Sequence, residues 1–186
     1  LAAFFGVAGL IDSTASMLIW GAVLTVAAMV LKWLTRRSIF WGQLAFAVVL
    51  AGQGLLIGGF AGQGRDTTTI ALFVAGLEVM IFVLYPDALH RLLSLLAITG
   101  ALLVILYEWE MPELIHGLTL LLAVGAVAVW QQEFRLLASR WSPIRAPLGY
   151  GLSLALFGLC LLSLLHEYGA TQWWLSAAGL ALLLLY

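Results

Sequence analysis

The chain has 186 residues, 64% of them hydrophobic and only 9% charged, and its mean hydropathy is +1.11. A soluble domain of this length has no core large enough to bury so much apolar surface, so the composition excludes that class and predicts a multi-pass membrane protein. The net charge of -1 provides no basic surface for nucleic acid, and the single cysteine excludes a disulfide within these residues.

Six apolar runs are each long enough to cross a bilayer as a helix, which takes about 20 residues. They cover residues 15–34, 39–60, 68–85, 89–107, 114–131 and 148–166. Two shorter runs, 1–11 and 173–186, stop in mid-pattern at the chain ends, and we interpret them as a truncated first helix and a truncated eighth helix. The predicted fold is therefore all-α: a polytopic transmembrane helix bundle of about eight spans, forming one domain over residues 1–186.

The basic residues alternate between the connections in a way that predicts orientation. Only Arg65 lies on one side, and short translocated loops carry few Lys or Arg residues, so we expect the opposite side to be cytoplasmic. An even number of spans then places both termini in the cytoplasm. The basic residues on the cytoplasmic side are Lys32, Arg36, Arg37, Arg91, Arg135, Arg140 and Arg145.

Glu78 is the one acidic residue in the middle of an apolar run. A charged, unpaired carboxylate inside a bilayer costs several kcal/mol, which favours the neutral acid. Such a residue is by default a functional candidate, as a proton relay, an ion site or a cofactor contact. The alternative is a neutral Glu that joins two helices by hydrogen bonds, and the lack of a second ionisable residue at the same expected depth favours this structural role.

Two glutamines in the second long run are further intramembrane polar candidates. At about 1.5 Å per residue from the cytoplasmic boundaries, Gln43 lies about 6 Å deep, Glu78 about 10 Å and Gln53 about 21 Å. We therefore expect a direct or water-bridged contact between Glu78 and Gln43. A polar pocket between the two helices is the functional interpretation, and interhelical hydrogen bonds of about 0.6 kcal/mol each are the structural one.

Glycines in the same run predict a helix-packing surface. Gly54, Gly58 and Gly62 are four residues apart, which lets another backbone approach closely. We expect this stripe to pack inside the monomer against the next span at Gly76. The alternative is a contact with a second copy or with a partner subunit.

No catalytic motif is present, and we predict no enzyme, no cofactor and no metal site. Intramembrane proteases need paired Asp, or Ser with His, at depth, and a haem carrier needs a pair of axial His ligands in mid-span. Glu113 and His116 form a single Glu-x-x-His spacing, which is weak support for a metal site. We interpret His90, His116 and His166 as interfacial residues.

Two short segments resemble a known family. Gln43-Leu44-Ala45-Phe46-Ala47, followed by Ala51-Gly52-Gln53, is similar to a pattern in a family of uncharacterised bacterial inner-membrane proteins. The segment Trp141–Gly149 is similar in style. That family is polytopic, is classed as a domain of unknown function and is often encoded beside GDYXXLXY-type proteins. The resemblance implies a bacterial inner-membrane location and no assigned chemistry.

Two function classes follow from the sequence. The first is a non-enzymatic accessory or scaffold subunit, whose partners are membrane lipids and other membrane-protein subunits. The second is a proton-linked transporter or carrier of a small solute, centred on Glu78 with Gln43 and Gln53. The scarcity of buried charge favours the first class.

Overall fold

The computed structural model describes residues 13–35, 38–111, 113–139, 142–165 and 181. Six helices in this part of the chain are long and apolar enough to cross a membrane, which confirms an all-α, multi-pass membrane protein. Apart from residue 181, the two truncated helices predicted at 1–11 and 173–186 lie outside the described residues, and so do both termini. The helices are α1 Thr14–Leu34, α2 Ile39–Ala61, α3 Thr67–Leu84, α4 Ala88–Glu108, α5 Glu113–Gln131, a short α6 Glu133–Leu137 and α7 Ser142–Leu165.

Short polar side chains fix where four of the long helices begin. Ser13 caps α1 and Ser38 caps α2, each through its hydroxyl, which accepts a backbone N–H three residues on. Asp66 caps α3 and Asp87 caps α4 in the same way through a carboxylate. These caps satisfy N–H groups that have no partner inside the helix, so each apolar run starts at a defined residue.

The last span begins six residues earlier than its apolar run. The predicted run starts at residue 148, but α7 already starts at Ser142. Pro143 lies in the first turn, where backbone N–H groups have no partner inside the helix. Its missing N–H therefore costs no helical hydrogen bond. Pro147 lies inside the helix and removes only the bond to the carbonyl of Pro143, so two prolines and a charged residue do not exclude a helix here.

The long helices form a bundle in which consecutive spans run antiparallel, whereas α4 and α7 start at the same end and run parallel. α1 packs closely along α2, and α3 along α4, while α7 lies against both α4 and α5. The ends of α1 and α3 and the starts of α2, α4 and α7 thus share one end of the bundle, called the basic end because it carries Lys32, Arg91, Arg135 and Arg145. The α1–α2 hairpin meets the rest of the bundle through an apolar cluster of Ala28, Val49, Leu77, Ile81 and Tyr85.

Glycines bring α1 and α2 into backbone contact. A Cβ atom at Gly52 would lie 2.8 Å from the backbone nitrogen of Thr25 and 2.9 Å from the carbonyl oxygen of Gly21. At Gly59 it would lie 2.9 Å from the carbonyl oxygen of Thr14. The glycines that allow the closest approach are therefore seven residues apart, a spacing that keeps both on one face of α2.

The predicted stripe of Gly54, Gly58 and Gly62 meets this contact only at its edge. Gly58 faces Met17 and Gly62 faces Thr14, both on α1, and no atom lies within 4 Å of a Cβ at Gly54. A Cβ at Gly76 on α3 also meets nothing within 4 Å. We expected the stripe to pack against α3 at Gly76, and this prediction was wrong. The glycines of α2 that have a close neighbour pack against α1, the preceding helix.

Candidate functional site

Four polar side chains from three helices meet in the interior near the basic end. Glu78 comes from α3, Gln53 from α2, and His90 and Ser94 from α4. Their exposed fractions are 6%, 4%, 1% and 0%, respectively. Buried polar groups in a bilayer must find partners within the protein, so these four side chains satisfy one another.

The four side chains form a closed circle of hydrogen bonds, which we call the polar ring. Gln53 donates from Nε2 to Oε1 of Glu78 at 2.8 Å, and Ser94 Oγ lies 2.6 Å from Oε2 of the same carboxyl. His90 contacts both neighbours, with Nε2 3.0 Å from Oε1 of Gln53 and Nδ1 3.2 Å from Oγ of Ser94. Because the Gln53 oxygen can only accept, Nε2 of His90 must carry a hydrogen.

One proton arrangement makes the polar ring neutral. Glu78 carries a proton on Oε2 and donates it to Ser94, whose own hydroxyl hydrogen points to Nδ1 of His90. His90 donates from Nε2 to Gln53, and Gln53 donates back to Glu78. Each bond of the circle then has one donor and one acceptor.

A second arrangement makes the polar ring an internal ion pair. His90 is protonated on both nitrogens and donates from Nδ1 to Ser94, and Ser94 donates to an ionised Glu78. The two bonds through Gln53 are unchanged. The two arrangements differ only by a proton shift from Oε2 to Oγ and another from Oγ to Nδ1. The same heavy-atom positions therefore serve both states, with Ser94 as the relay.

The polar ring pairs its polar atoms less completely when it loses this proton or gains a second one. Without it, a single Ser94 hydrogen faces two acceptors, Oε2 of Glu78 and Nδ1 of His90. With a second proton, Glu78 and His90 both donate to Ser94, and its hydroxyl hydrogen has no acceptor in the ring. A buried polar atom left unpaired costs about 1–3 kcal/mol, so the polar ring is built to hold one proton.

The ring contains two of the three intramembrane candidates, but not the predicted pair. Gln53 contacts Glu78, whereas Gln43 is exposed, so the expected direct contact between Glu78 and Gln43 was wrong. Counting residues from the span boundaries assumes level, parallel helices, and it ignores side-chain direction. Gln43 and Gln53 point about 80° apart on α2, and only Gln53 faces α3 and α4.

His90 and Ser94 are the members of the polar ring that sequence reasoning missed. His90 was interpreted as interfacial because it lies in the first turn of α4, beside Arg91. Two signals could have indicated its burial: the Asp87 cap three residues earlier, and the spacing of four residues that places His90 and Ser94 on one helix face. His116 was likewise interpreted as interfacial, but it is buried.

A pocket of about 400 Å³ opens beside the polar ring at the basic end. An ion pair lies at its wall, with Lys32 Nζ 2.6 Å from Asp87 Oδ2 and each side chain 20% exposed. The backbone N–H of His90 donates to the other carboxylate oxygen of Asp87 at 3.1 Å. The described lining residues are Lys32, Ser38, Ile39, Gly42, Gln43, Phe46, Asp87 and Leu89.

Aromatic rings and charge separate the pocket from the polar ring. The Phe46 ring lies edge-on to the His90 imidazole with centroids 6.0 Å apart, and Tyr85 does so at 5.1 Å. Burial acts to raise the pKa of Asp87, but the hydrogen bond from Lys32 and the backbone N–H of His90 hold it below its ordinary value. Burial, helped by the charge of Asp87, raises the pKa of Tyr85 to about 12, so this phenol stays neutral.

The whole chain, residues 1–186, matches the family model described as a domain of unknown function, DUF4401. The chain belongs to this family. The resemblance to an uncharacterised membrane-protein family is thereby confirmed. Neither a curated protein nor a solved structure matches the chain.

Membership in DUF4401 brings no reaction, ligand or partner to these residues. The chemistry of the polar ring and of the adjacent pocket is therefore the basis for a functional proposal.

Proposed function

We propose that this multi-pass membrane protein is a proton-linked carrier of a small solute, in which the polar ring stores and passes one proton. The observation that carries the proposal is the circle through Glu78, Ser94, His90 and Gln53, which admits two proton positions without moving a heavy atom. An ionisable residue inside a span commonly marks a proton path.

The pocket lies closest to the polar ring at His90, so we propose that a proton enters the ring from this side. The imidazole of His90 is part of the polar ring, and the backbone N–H of His90 donates to Asp87 at the pocket wall. The side of the ring toward His90 is thus nearest the basic end, whereas Glu78 lies on the far side. We propose that this end is cytoplasmic and that the membrane is the bacterial inner membrane, on the basis of the Lys and Arg distribution.

Proton flux into liposomes tests the proposal. Purified protein is reconstituted with an enclosed pH-sensitive dye, and a pH gradient is imposed. We expect wild-type protein to acidify the lumen and Glu78→Gln to remove the flux, because the amide keeps the hydrogen bonds but has no proton to transfer. Glu113→Gln, at an exposed acid in the first turn of α5, is the matched control and should transport like wild type. Equal flux in Glu78→Gln and wild-type protein would refute the carrier.

An accessory subunit is the second candidate. It is supported by the open space beside Gly54 and Gly76, where a partner helix could approach closely without displacing any described atom. Purification from native membranes should then recover another membrane protein in fixed ratio, and Gly54→Leu should lose that partner while the monomer stays folded. A solitary monomer would count against this candidate.

A further inference from the structure

The pocket at the basic end has the charge distribution of a site for a small zwitterion. Its eight described lining residues include one cation, Lys32, and one anion, Asp87, so the two charges cancel. Ser38 and Gln43 add neutral polar groups, and the remaining described lining is apolar or glycine. A net-neutral solute with one positive and one negative group matches such a wall better than a simple anion or cation.

We propose that this pocket binds a small zwitterion, with the anionic group of the ligand on Lys32 and its ammonium group on Asp87. This inference rests on the proposed carrier function and names the chemical class of its solute. The ammonium and carboxylate of the wall are already paired, so the ligand exchanges one ion pair for two. An anion alone would pair with Lys32 and leave Asp87 without its cation, which is costly for a mostly buried charge.

Three features fit a ligand between these charges. Lys32 and Asp87 are each partly exposed, so a solute can reach both. The exposed Gln43 amide has no hydrogen-bond partner among the described residues and can serve the ligand. Phe46 and Leu89 supply apolar lining for a short aliphatic group.

The position of the pocket links the ligand to the proton. Asp87 also accepts the backbone N–H of His90, and Phe46 contacts the His90 imidazole. A ligand ammonium on Asp87 thus lies on the pocket side of the residue that holds or releases the proton. The Lys32–Asp87 pair also joins α1 to α4, so breaking it removes a link between the two hairpins.

Two sources offer this chemistry: a free amino acid and the headgroup of phosphatidylethanolamine. The first test uses the full chain in nanodiscs of phosphatidylcholine, whose quaternary ammonium has no N–H to donate. L-leucine is titrated by calorimetry beside 4-methylpentanoate, which lacks the amine, and isoamylamine, which lacks the carboxylate. We expect leucine to bind and both analogues to bind at least about tenfold more weakly, which corresponds to about 1.4 kcal/mol.

The lipid source has its own arm. Nanodiscs containing phosphatidylethanolamine should retain that lipid on the protein in native mass spectrometry, and they should raise the melting temperature, if the headgroup is the ligand. Leucine binding alone assigns the site to a soluble zwitterion, and lipid retention alone assigns it to the headgroup. Binding of neither ligand, or equal binding of leucine and 4-methylpentanoate, overturns the proposal.

Variants place the binding in the pocket. Asp87→Asn keeps a good helix cap but removes the negative charge, and Lys32→Gln removes the positive charge. Each variant should weaken binding of whichever zwitterion binds the wild-type protein by about tenfold or more. Arg145→Gln breaks a second ion pair among the described residues of the basic end, Arg145 with Glu133, and should bind like wild type.

Unchanged affinity in both pocket variants overturns the proposal. If either variant fails to fold, the analogue series on wild-type protein decides by itself. Binding requires no proton movement, so failure to bind leaves the flux result of Glu78→Gln standing, and a lost flux leaves the binding result standing.

Discussion

At the scale of single residues, Ser94 determines what Glu78 and His90 can do together. In the polar ring, the Glu78 carboxyl and the His90 imidazole are joined through Ser94 and Gln53 and not to each other. The hydroxyl between them both accepts and donates, so it can connect either state (2.6 Å to Glu78, 3.2 Å to His90). Ser94→Ala should therefore interrupt the relay while leaving both titratable groups in place.

Substitutions at Glu78 separate its structural role from its chemistry. Glu78→Gln should leave stability close to wild type, because the amide donates to Ser94 and accepts from Gln53 as the neutral acid does. Glu78→Leu leaves the Gln53 amide without its acceptor and should destabilise the protein by about 1–3 kcal/mol. Denaturation in mixed micelles measures both. Equal stability of Glu78→Leu and wild-type protein would show that the bonds of the ring contribute nothing.

Asp87 gives the protein a defined acid sensitivity. Its pKa is lowered in the folded state, so its contribution to stability is present above the unfolded value of about 3.9 and is lost as the pH falls through the folded value. As the pH falls below about 4, the melting temperature of the wild-type protein should therefore drop more steeply than that of Asp87→Asn. Parallel profiles would mean that the Lys32–Asp87 pair has no such effect.

The sequence located the acidic member of the site better than its partners. Glu78 is identifiable because a carboxyl in an apolar run is costly whatever surrounds it. The hydrogen-bond partner of Glu78 depends on the relative depth and rotation of α2 and α3. A count of residues from the span boundaries gives neither, so Gln43 was predicted instead of Gln53. His90 lies in a first turn, where sequence position alone favours the interface.

At the scale of helices, α1 and α2 are held by close backbone contact. Gly52→Ala places a Cβ 2.5 Å from Thr25 Oγ1 and 2.8 Å from the Thr25 nitrogen, so the hairpin must separate. We expect a loss of about 1–3 kcal/mol, as for other overpacked sites. Gly54→Ala meets no atom within 4 Å and should be neutral or stabilising by up to about 1 kcal/mol. Equal melting temperatures of the two variants would contradict this packing.

Helix positions were predictable where one property dominates. Apolar length located all six long helices of the described chain, and their capping residues lie within a few positions of the predicted boundaries. Helix α7 was the exception, because its first turn contains charge and proline. Helix pairing was not predictable, because glycines on α2 can serve α1 or α3 equally well in the sequence.

At the scale of the whole molecule, the orientation in the membrane remains a prediction. Reporter fusions after Ser139, which follows α6 at the basic end, and after Glu110, at the opposite end, test it. We expect a cytoplasmic reporter in the first fusion and an external one in the second, because Lys and Arg are retained on the cytoplasmic side. A cytoplasmic signal from the Glu110 fusion would reverse the assignment.

The position of Gln53 on the first described hairpin has a consequence for biogenesis. During synthesis α1 and α2 enter the bilayer before α3 and α4, and their glycine contacts are complete within the pair. Gln53 then faces hydrocarbon until Glu78 and His90 arrive from the ribosome. The unmet amide favours recruitment of the next two helices, so the hydrogen bonds of the polar ring also guide the assembly of the protein.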